Sequence, residues 1–527
     1  MSKQKISSEQ LGPVLCLSVA IFLIALSLGC SSSSIPPSTC AGFTGSFTNA
    51  SLGAAGTQYA YELSGWVKNS SGASVPYSEA GSVTLDGNGN ITGGKDDFWG
   101  NITGGSYTIS SAGTGTFKVN TSNSQTGTQQ SLVWAVALAN ASTTSSAGSF
   151  AVMETDAFAN SAGAAYQQSA SALSTAPAGT FVFRTHATAS ATSIVGAQDS
   201  AGLLTFSDAS IAGSEDWVNG GVGSGQLESF SGTFTSPSGG IGTVSFTDGL
   251  GARLFDYFVI DASHLLLYET DSVNAGLGLG RAEMQQAPVG GFNKASLSGS
   301  FAFGGRGDTS ASGAGGVSSV GQFAADGNGN VTGGTLDSVR DGSAQLAQTV
   351  AATTYSITAK GRVSMSFSSS GGGGTAIALY LVDPTRGFFL INGDTTLVED
   401  GSTDLQSSAS FTNSAFTGQY AFVMSGAVSG VPLDRIGEIL ADGKGTLSWT
   451  EQVNTAGSSN SACLAGTYSA SANGRVSASV TSLSSNVIFY LVSPNSAYTL
   501  QADTATQMPG AIANQDHQAM PVIAGYF

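Results

Sequence analysis

The feature that most constrains this chain is a short turn sequence that recurs along it. Residues 86–90 read DGNGN within GSVTLDGNGNITGG, and residues 326–330 repeat DGNGN within QFAADGNGNVTGG. A reduced form, DGKG, begins at Asp442. Asp-Gly and Asn-Gly between apolar runs are strong hairpin signals, because these residues tolerate positive φ. The sequence therefore predicts a β-hairpin module that is used more than once.

An opening strand with aromatic residues at alternate positions appears four times. It begins at Tyr59, Phe181, Phe301 and Tyr420, at intervals of 122, 120 and 119 residues. Alternate residues of a strand point to one face, so these rings belong to a buried face. About six strand-like runs per copy, with turn signals between them, are typical of sandwiches and barrels. We expect an all-β protein of four tandem antiparallel β-sandwich or barrel-like repeats of about 120 residues, an ordinary domain size.

Two arrangements of these repeats are compatible with the pattern. Each repeat closes a core of its own, or repeats share cores two by two. The segments that we delimit are a signal peptide (1–29), a Ser/Pro tether (30–41), four repeats (42–176, 177–288, 289–408 and 409–510) and a C-terminal tail (511–527).

Composition excludes some functions. The formal net charge is -17 and only 10% of residues are charged. Binding of nucleic acid needs clustered Lys and Arg, and no basic cluster follows Lys5, so nucleic acid is not an expected partner. The 41% of hydrophobic residues also excludes a wholly disordered chain.

The N-terminus has the order of an export signal. Lys3 and Lys5 precede an apolar run at 14–28, which is followed by Gly29 and Cys30. The end of this segment resembles the lipobox of bacterial lipoproteins, in which the cysteine becomes the first mature residue and carries diacylglycerol. Ser27 and Leu28 depart from the usual lipobox pattern. The alternative is an ordinary secretory signal or an uncleaved anchor.

The repeats as a whole resemble exported tandem β-repeat lipoproteins of acidobacterial-type soil bacteria. The motifs shared with that family have the forms YAFxxSG, DGNGNITGG and FYLV. The resemblance implies a lipid-anchored protein at the outer membrane or cell surface, with the membrane as a partner through its anchor. It implies no activity and no cofactor.

The DGNGN turns also have some of the spacing of a calcium loop. Oxygen-bearing side chains at positions 1, 3, 5 and 12 are what Ca²⁺ requires, and two sets have this spacing: Asp86, Asn88, Asn90 and Asp97, and Asp326, Asn328, Asn330 and Asp337. Position 6 is Ile91 or Val331, where the helix-loop-helix motif needs Gly. A plain hairpin turn is the competing interpretation, with calcium as the alternative cofactor.

Trp99 and Trp217 each follow an acidic pair and are candidates for contact with a glycan. Adjacent acidic residues on a strand point to opposite faces, so neither pair can flank a glycosidic bond. The chain has three histidines and no HExxH, GxSxG or CxxC pattern. We therefore expect a non-enzymatic surface lipoprotein with a structural, adhesive or ligand-binding role, whose partner is a glycan or surface protein. The alternative is a carbohydrate-binding or carbohydrate-degrading surface protein.

Two cysteines, Cys40 and Cys463, lie outside the signal and the lipobox. Export permits a disulfide between them, and two free thiols are the alternative.

The lipobox resemblance generates a first prediction. Cells that express the chain and are fed radiolabelled palmitate should label the wild-type product, and Cys30→Ser should remove the label because the acceptor thiol is gone. Cys463→Ser serves as the control and should leave labelling intact. An unlabelled wild-type product would contradict the lipid anchor.

Overall fold

The structure is a computed structural model that describes residues 42–514 apart from 44, 69–71, 73, 123–128, 140–146, 158, 188–196, 221, 224–226, 272–277, 310–315, 369–373, 395, 429–430, 482, 484–485 and 503–505. The described part is all-β, as expected. Its helices are three short 3-10 turns: Asn49–Leu52, Lys294–Ser296 and Asn413–Ala415. Among these residues no helix is long and apolar enough to cross a membrane.

The strands form four consecutive antiparallel barrels. The first barrel contains β1 (Thr57–Lys68), β2 (Ser74–Leu85), β3 (Asn90–Asp96), β4 (Gly100–Ile109), β5 (Thr114–Ser122), β6 (Gln129–Ala139), β7 (Ser149–Glu154) and β8 (Ala159–Gln167). The second contains β9 (Gly179–Ala187), β10 (Gln198–Ser207), β11 (Ser210–Asn219), β12 (Val222–Gly223), β13 (Glu228–Phe234), β14 (Ile241–Asp248), β15 (Gly251–Asp261), β16 (His264–Glu269) and β17 (Gly278–Met284).

The third and fourth barrels repeat this order. The third contains β18 (Ser298–Thr309), β19 (Gly316–Asp326), β20 (Asn330–Arg340), β21 (Ser343–Val350), β22 (Thr353–Ile357), β23 (Arg362–Phe367), β24 (Thr375–Asp383), β25 (Arg386–Ile391) and β26 (Leu397–Leu405). The fourth contains β27 (Thr417–Val428), β28 (Val431–Asp442), β29 (Thr446–Thr455), β30 (Ser458–Ala470), β31 (Arg475–Val480), β32 (Asn486–Ser493), β33 (Ser496–Ala502) and β34 (Thr506–Asn514).

Each barrel closes with eight strands, not the six expected from the sequence. In the second and third barrels the pairings β10–β11 and β19–β20 close the barrel, and β12 and β21 are additional strands. The run GGSYTISSAGTGTF, interpreted as one strand and its turn, contains two strands, β4 and β5. The closing strand was also missed, because sequences such as ANSAGAAYQ in β8 lack the aromatic alternation of the other strands. In the fourth barrel this strand, β34, crosses the boundary placed at residue 510.

Every barrel encloses its own hydrophobic core. In the first, Tyr59, Tyr61, Trp134 and Phe150 are completely buried in the lumen. Corresponding aromatic and aliphatic clusters fill the other three barrels. The rings of the opening strands therefore point inward, as the two-residue period predicts. The shared-core alternative is wrong.

The outer faces of the barrels are also apolar, and they pack against one another. An alanine-rich face of the first barrel contacts Phe258 and Tyr268 of the second and Val423 and Ile436 of the fourth. Separate clusters join the second barrel to the third and the third to the fourth. The four barrels therefore form a closed ring with four junctions, and not pairs two by two.

Buried ion pairs cross these junctions. Arg281 Nε of the second barrel donates to Glu62 Oε1 of the first at 2.9 Å. Arg386 of the third donates to both carboxylate oxygens of Glu283 of the second, at 2.7 and 2.8 Å. Removing one partner of such a pair leaves a buried charge uncompensated, which costs about 3–5 kcal/mol.

One junction motif occurs twice. Asp216 of the second barrel accepts hydrogen bonds from Arg362 and Tyr380 of the third, and each donor lies at 2.6 Å. Asp337 of the third barrel accepts in the same way from Arg475 at 2.7 Å and Tyr490 at 2.6 Å of the fourth. The repeated sequence thus produces a repeated contact between successive barrels.

The junction that closes the ring, between the fourth and first barrels, holds its carboxylate differently. Asp434 is buried and accepts hydrogen bonds from Asn160 and Ser425. Burial raises the pKa of Asp434 to about 7, because the neighbouring amide and hydroxyl only partly offset the loss of water.

Cys463 on β30 is disulfide-bonded, so it is not a free thiol. Its partner lies outside the described residues, and its pairing with Cys40 stays a prediction.

Asp434 generates a pH prediction. Because its folded pKa is raised above the unfolded value, its contribution to stability is present at low pH and is lost as pH rises through about 7. The isosteric Asp434→Asn variant should therefore lose less stability between pH 5 and pH 8 than the wild type, by on the order of 2–4 kcal/mol. Urea unfolding at both pH values measures the difference.

The matched control for this experiment is Asp208→Asn, on the exposed turn between β10 and β11. It should keep the wild-type pH dependence. If Asp434→Asn keeps it too, the buried carboxyl at the ring-closing junction does not titrate as argued.

Candidate ligand site in the third barrel

The lumen of the third barrel contains a cavity of about 380 Å³. Apolar side chains from eight strands line most of its wall, among them Phe303, Phe323, Ile377, Leu379 and Phe389. Pockets that take small molecules have volumes of about 300–1,000 Å³ and mainly hydrophobic linings. The cavity thus has the size and the lining of a small-molecule site.

The cavity exists because the third barrel has smaller residues than the other barrels at some positions that face the lumen. Two residues beyond the second aromatic residue of the opening strand, the four barrels carry Leu63, Thr185, Gly305 and Met424. A Cβ at Gly305 would lie 2.7 Å from Glu399 Oε1 and 2.8 Å from Phe389 Cζ. The glycine therefore allows both side chains to occupy the space beside β18.

At a second position, too, the third barrel has smaller side chains than the first two barrels. Trp134 pairs with Phe117 in the first barrel, and Phe255 pairs with Val244 in the second. The corresponding pair in the third barrel is Met365 with Ile377. In the second barrel, where Phe255 stacks on Phe246, a cavity of only about 10 Å³ is left between these rings. The third barrel therefore keeps space that an aromatic ring fills in the first and second barrels.

One end of the third barrel is closed. The 3-10 turn at Lys294–Ser296 lies across this end, and the buried Tyr355 hydroxyl donates to the carbonyls of Lys294 and Leu297 at 2.7 and 2.8 Å. Leu297 and Phe292 pack into the core from the same side. The segment that precedes the barrel therefore closes the core at this end.

The polar side chains of the cavity lie toward the other end. Glu399, near the start of β26, is 2% exposed and accepts a hydrogen bond from Ser319. Burial raises the pKa of Glu399 to about 7, and the charge of Arg340 opposes this rise. Glu399 can therefore accept hydrogen bonds, and in its protonated form it can also donate one.

Arg340 lies at the rim, where its ion pairs are long. Its Nη1 is 3.4 Å from Asp394 and its Nε is 3.8 Å from Asp341, and its side chain is 39% exposed. Its Nη2 donates to Thr396 Oγ1 at 2.6 Å. By contrast, Arg253 in the second barrel and Arg435 in the fourth hold a glutamate at 2.6 and 2.7 Å. Arg340 is therefore held at the rim with donor capacity toward the cavity.

The four residues of each proposed calcium set do not lie together in the structure. Asp86 Oδ1 accepts hydrogen bonds from the backbone N–H of Asn88 and Asn90 at 2.7 and 2.9 Å, and Asp326 does the same with Asn328 and Asn330. These bonds lower the pKa of Asp86 below its ordinary value. The first three positions of each set thus form a self-satisfied hairpin turn.

The fourth member of each calcium set lies away from its turn. Asp337 is committed to Arg475 and Tyr490 at the junction with the fourth barrel. The backbone N–H of Asp97 pairs with Ala80 at the opposite end of the hairpin. Its carboxylate contacts Lys95, which also pairs with Asp256 of the second barrel at 3.1 Å. The expected loop of four oxygen ligands is therefore not assembled, because the hairpin carries its closing carboxylate to a barrel junction.

The two tryptophans proposed for glycan contact lie in different barrels. Trp99 donates from Nε1 to the Tyr77 hydroxyl at 2.8 Å and packs against Phe98. Trp217 donates from Nε1 to Glu228 at 2.8 Å. The structure does not bring them together into one platform.

Among the described residues, one group of His and Asp side chains is close enough to share a cation. It consists of His186, Asp199 and Asp400, all buried where the second and third barrels meet. His186 Nδ1 lies 2.5 Å from Asp199 Oδ1, and Arg184 donates to Asp400. Burial lowers the pKa of His186 to about 4 and the charge of Arg306 lowers it further, so a guanidinium group already supplies positive charge here. The group belongs to the ionic contact between the barrels.

Comparison with known proteins assigns no family. No family model matches the chain, and no curated protein matches it. A solved structure of a DUF3598 protein of unknown function from Nostoc punctiforme is 13% identical over 43% of this chain and 96% of its own, with a TM-score of 0.16. The vaccine antigen transferrin binding protein B from Haemophilus parasuis is 8% identical over 87% and 95%, with a TM-score of 0.19. Similarities at these TM-scores carry no argument about function.

The cavity generates a prediction for a variant that fills it. Ile377→Trp places in the third barrel the residue that the first barrel has at the paired position, so it should occupy the lumen and abolish binding of a neutral apolar dye. Titration of the wild type with N-phenyl-1-naphthylamine, followed by fluorescence, should show saturable binding at one site per chain.

The control for added tryptophan is Val289→Trp, because Val289 is fully exposed. This variant should bind the dye like the wild type. Equal dye binding by Ile377→Trp would show that the dye does not occupy the cavity.

Proposed function

We propose that this protein is a non-enzymatic surface lipoprotein whose third barrel holds a small apolar ligand. The observation that carries the proposal is the cavity of about 380 Å³ in a lumen lined by phenylalanine and aliphatic side chains. An eight-stranded barrel is just wide enough either to be filled by side chains or to hold one small ligand. Side chains fill the lumen of the second barrel, whereas the lumen of the third leaves room for one small ligand.

The chemistry of the cavity favours binding over catalysis. Its polar side chains are Arg340, Gln345, Asp394 and Glu399 with neighbouring hydroxyls, and no histidine or cysteine is among the lining residues. Glu399 is held by Ser319, and Arg340 is held by Thr396. This set offers hydrogen bonds that orient a ligand.

The ring and the proposed lipid anchor suit a role outside the cell. The Ser/Pro segment after Cys30 would tether the ring to the membrane, while the closed sheets leave few edges to which other strands could add. Cys463 takes part in a disulfide, which is characteristic of exported proteins. The protein would thus capture or carry an apolar compound at the cell envelope.

Recovery of the natural ligand tests this proposal. The mature wild-type chain, purified from its exporting host and extracted with organic solvent, should release a compound at about one molecule per chain, which mass spectrometry identifies. Ile377→Trp should release none, and Val289→Trp should release the wild-type amount. Identical extracts from wild type and Ile377→Trp would contradict the assignment of the third barrel as the binding site.

A further inference from the structure

The polar end of the cavity restricts the head group that a ligand can carry. This inference rests on the proposed function, because it describes the occupant of the same cavity. The charged side chains among the lining residues are Arg340, Asp394 and Glu399, and the uncharged polar ones include Ser319 and Gln345. They place one guanidinium beside two carboxyl groups, an amide and hydroxyls.

A negatively charged head group is disfavoured at this end. Arg340 is the only cationic side chain among the lining residues, and it already lies 3.4 Å from Asp394 and 3.8 Å from Asp341. Glu399 contributes a further carboxyl group, which is buried. A ligand carboxylate would approach two lining carboxyl groups for one guanidinium, whose charge Asp341 also partly offsets, and like charges in a low-dielectric site repel strongly.

A positively charged head group is disfavoured for a different reason. The guanidinium of Arg340 would face it across the rim. Asp394 is also already engaged, since its Oδ1 accepts from the backbone N–H and the hydroxyl of Thr396 at 2.8 and 2.7 Å. An ammonium group would therefore be desolvated beside a like charge, with an acceptor whose capacity is largely used.

An uncharged hydroxyl matches the remaining hydrogen-bonding capacity. A hydroxyl donates one hydrogen bond and accepts others, so it can donate to the Glu399 carboxylate and accept from Arg340. We propose that the cavity takes an uncharged amphipath, a long-chain alcohol or a similar apolar molecule with one hydroxyl, with its apolar part on the phenylalanine-lined wall and its hydroxyl at Glu399 and Arg340.

Competition within a matched series of ligands tests the proposal. Dodecan-1-ol, dodecanoate and dodecylammonium share one chain and differ in the head group, and each is used to displace N-phenyl-1-naphthylamine from the mature wild-type chain at pH 7.5. Dodecan-1-ol should displace the dye at a concentration at least about tenfold lower than either charged analogue, since burying an unmatched charge costs more than a satisfied hydroxyl. Equal or tighter binding of a charged analogue would overturn the proposal.

Two substitutions at Glu399 locate the head group. Glu399→Gln keeps a hydrogen-bonding side chain and removes the acid, so the alcohol should still bind while dodecanoate binds more tightly than it binds the wild type. Glu399→Leu should weaken the alcohol several-fold relative to the dye because the acceptor for the hydroxyl is lost, and its circular dichroism spectrum and melting temperature check that the barrel is folded. If Glu399→Leu leaves the alcohol unaffected, the hydroxyl does not lie at Glu399.

The outcomes separate this inference from the proposed function. If the wild type binds neither the dye nor any member of the series, the ligand-binding function fails and the inference fails with it. If the dye binds and is displaced best by a charged analogue, the third barrel remains a ligand site and only the head-group assignment is wrong.

Discussion

The structure depends on one constraint, which is that each β-sheet has two faces to bury. Alternate residues of each strand point into the lumen or outward. In the strands at the junctions both sets are largely apolar, whereas strands away from the junctions, such as β5 and β30, expose polar residues on the outside. Tyr61 and Trp134 fill the inside of the first barrel, while Ala60 and Ala137 of the same strands pack outside against its neighbours. With only 10% charged residues the chain cannot cover such sheets with a polar surface. Closing each sheet and then closing four barrels into a ring removes most of the apolar surface from water.

The few charges are concentrated where the barrels meet. The chain has nine arginines, and five of them form ion pairs with an adjacent barrel: Arg184, Arg281, Arg362, Arg386 and Arg475. Apolar contacts alone allow two barrels to slide or rotate against each other, whereas a buried carboxylate accepts a guanidinium in one geometry only. The repeated contacts of Asp216 and Asp337 show how one such pair orients successive copies of the same module.

Sequence repetition also explains how a site arises without a motif. The third barrel keeps the framework of the others and differs by smaller side chains at points where the lumen would be filled, such as Gly305 and Ile377. Because the wall is closed on all sides by hydrogen-bonded strands, a barrel cannot collapse around the missing volume, and the space persists as a cavity. The cavity can be located from the sequence by the small residues that the third copy has at aligned positions. The recognisable motifs lie in the turns and not at these positions.

The amino-acid sequence by itself determined the all-β class, the number of modules and their period, because two-residue alternation and Asp-Gly turns act locally. It also indicated a hairpin turn at DGNGN, and the structure shows that this turn satisfies itself through Asp86 and the N–H groups two and four residues further on. Only the tertiary structure decided the eighth strand, the ring, the junction role of Asp97 and Asp337, and the cavity. These features depend on residues that are far apart in the chain and on volume left between them, and neither leaves a periodic trace in the sequence.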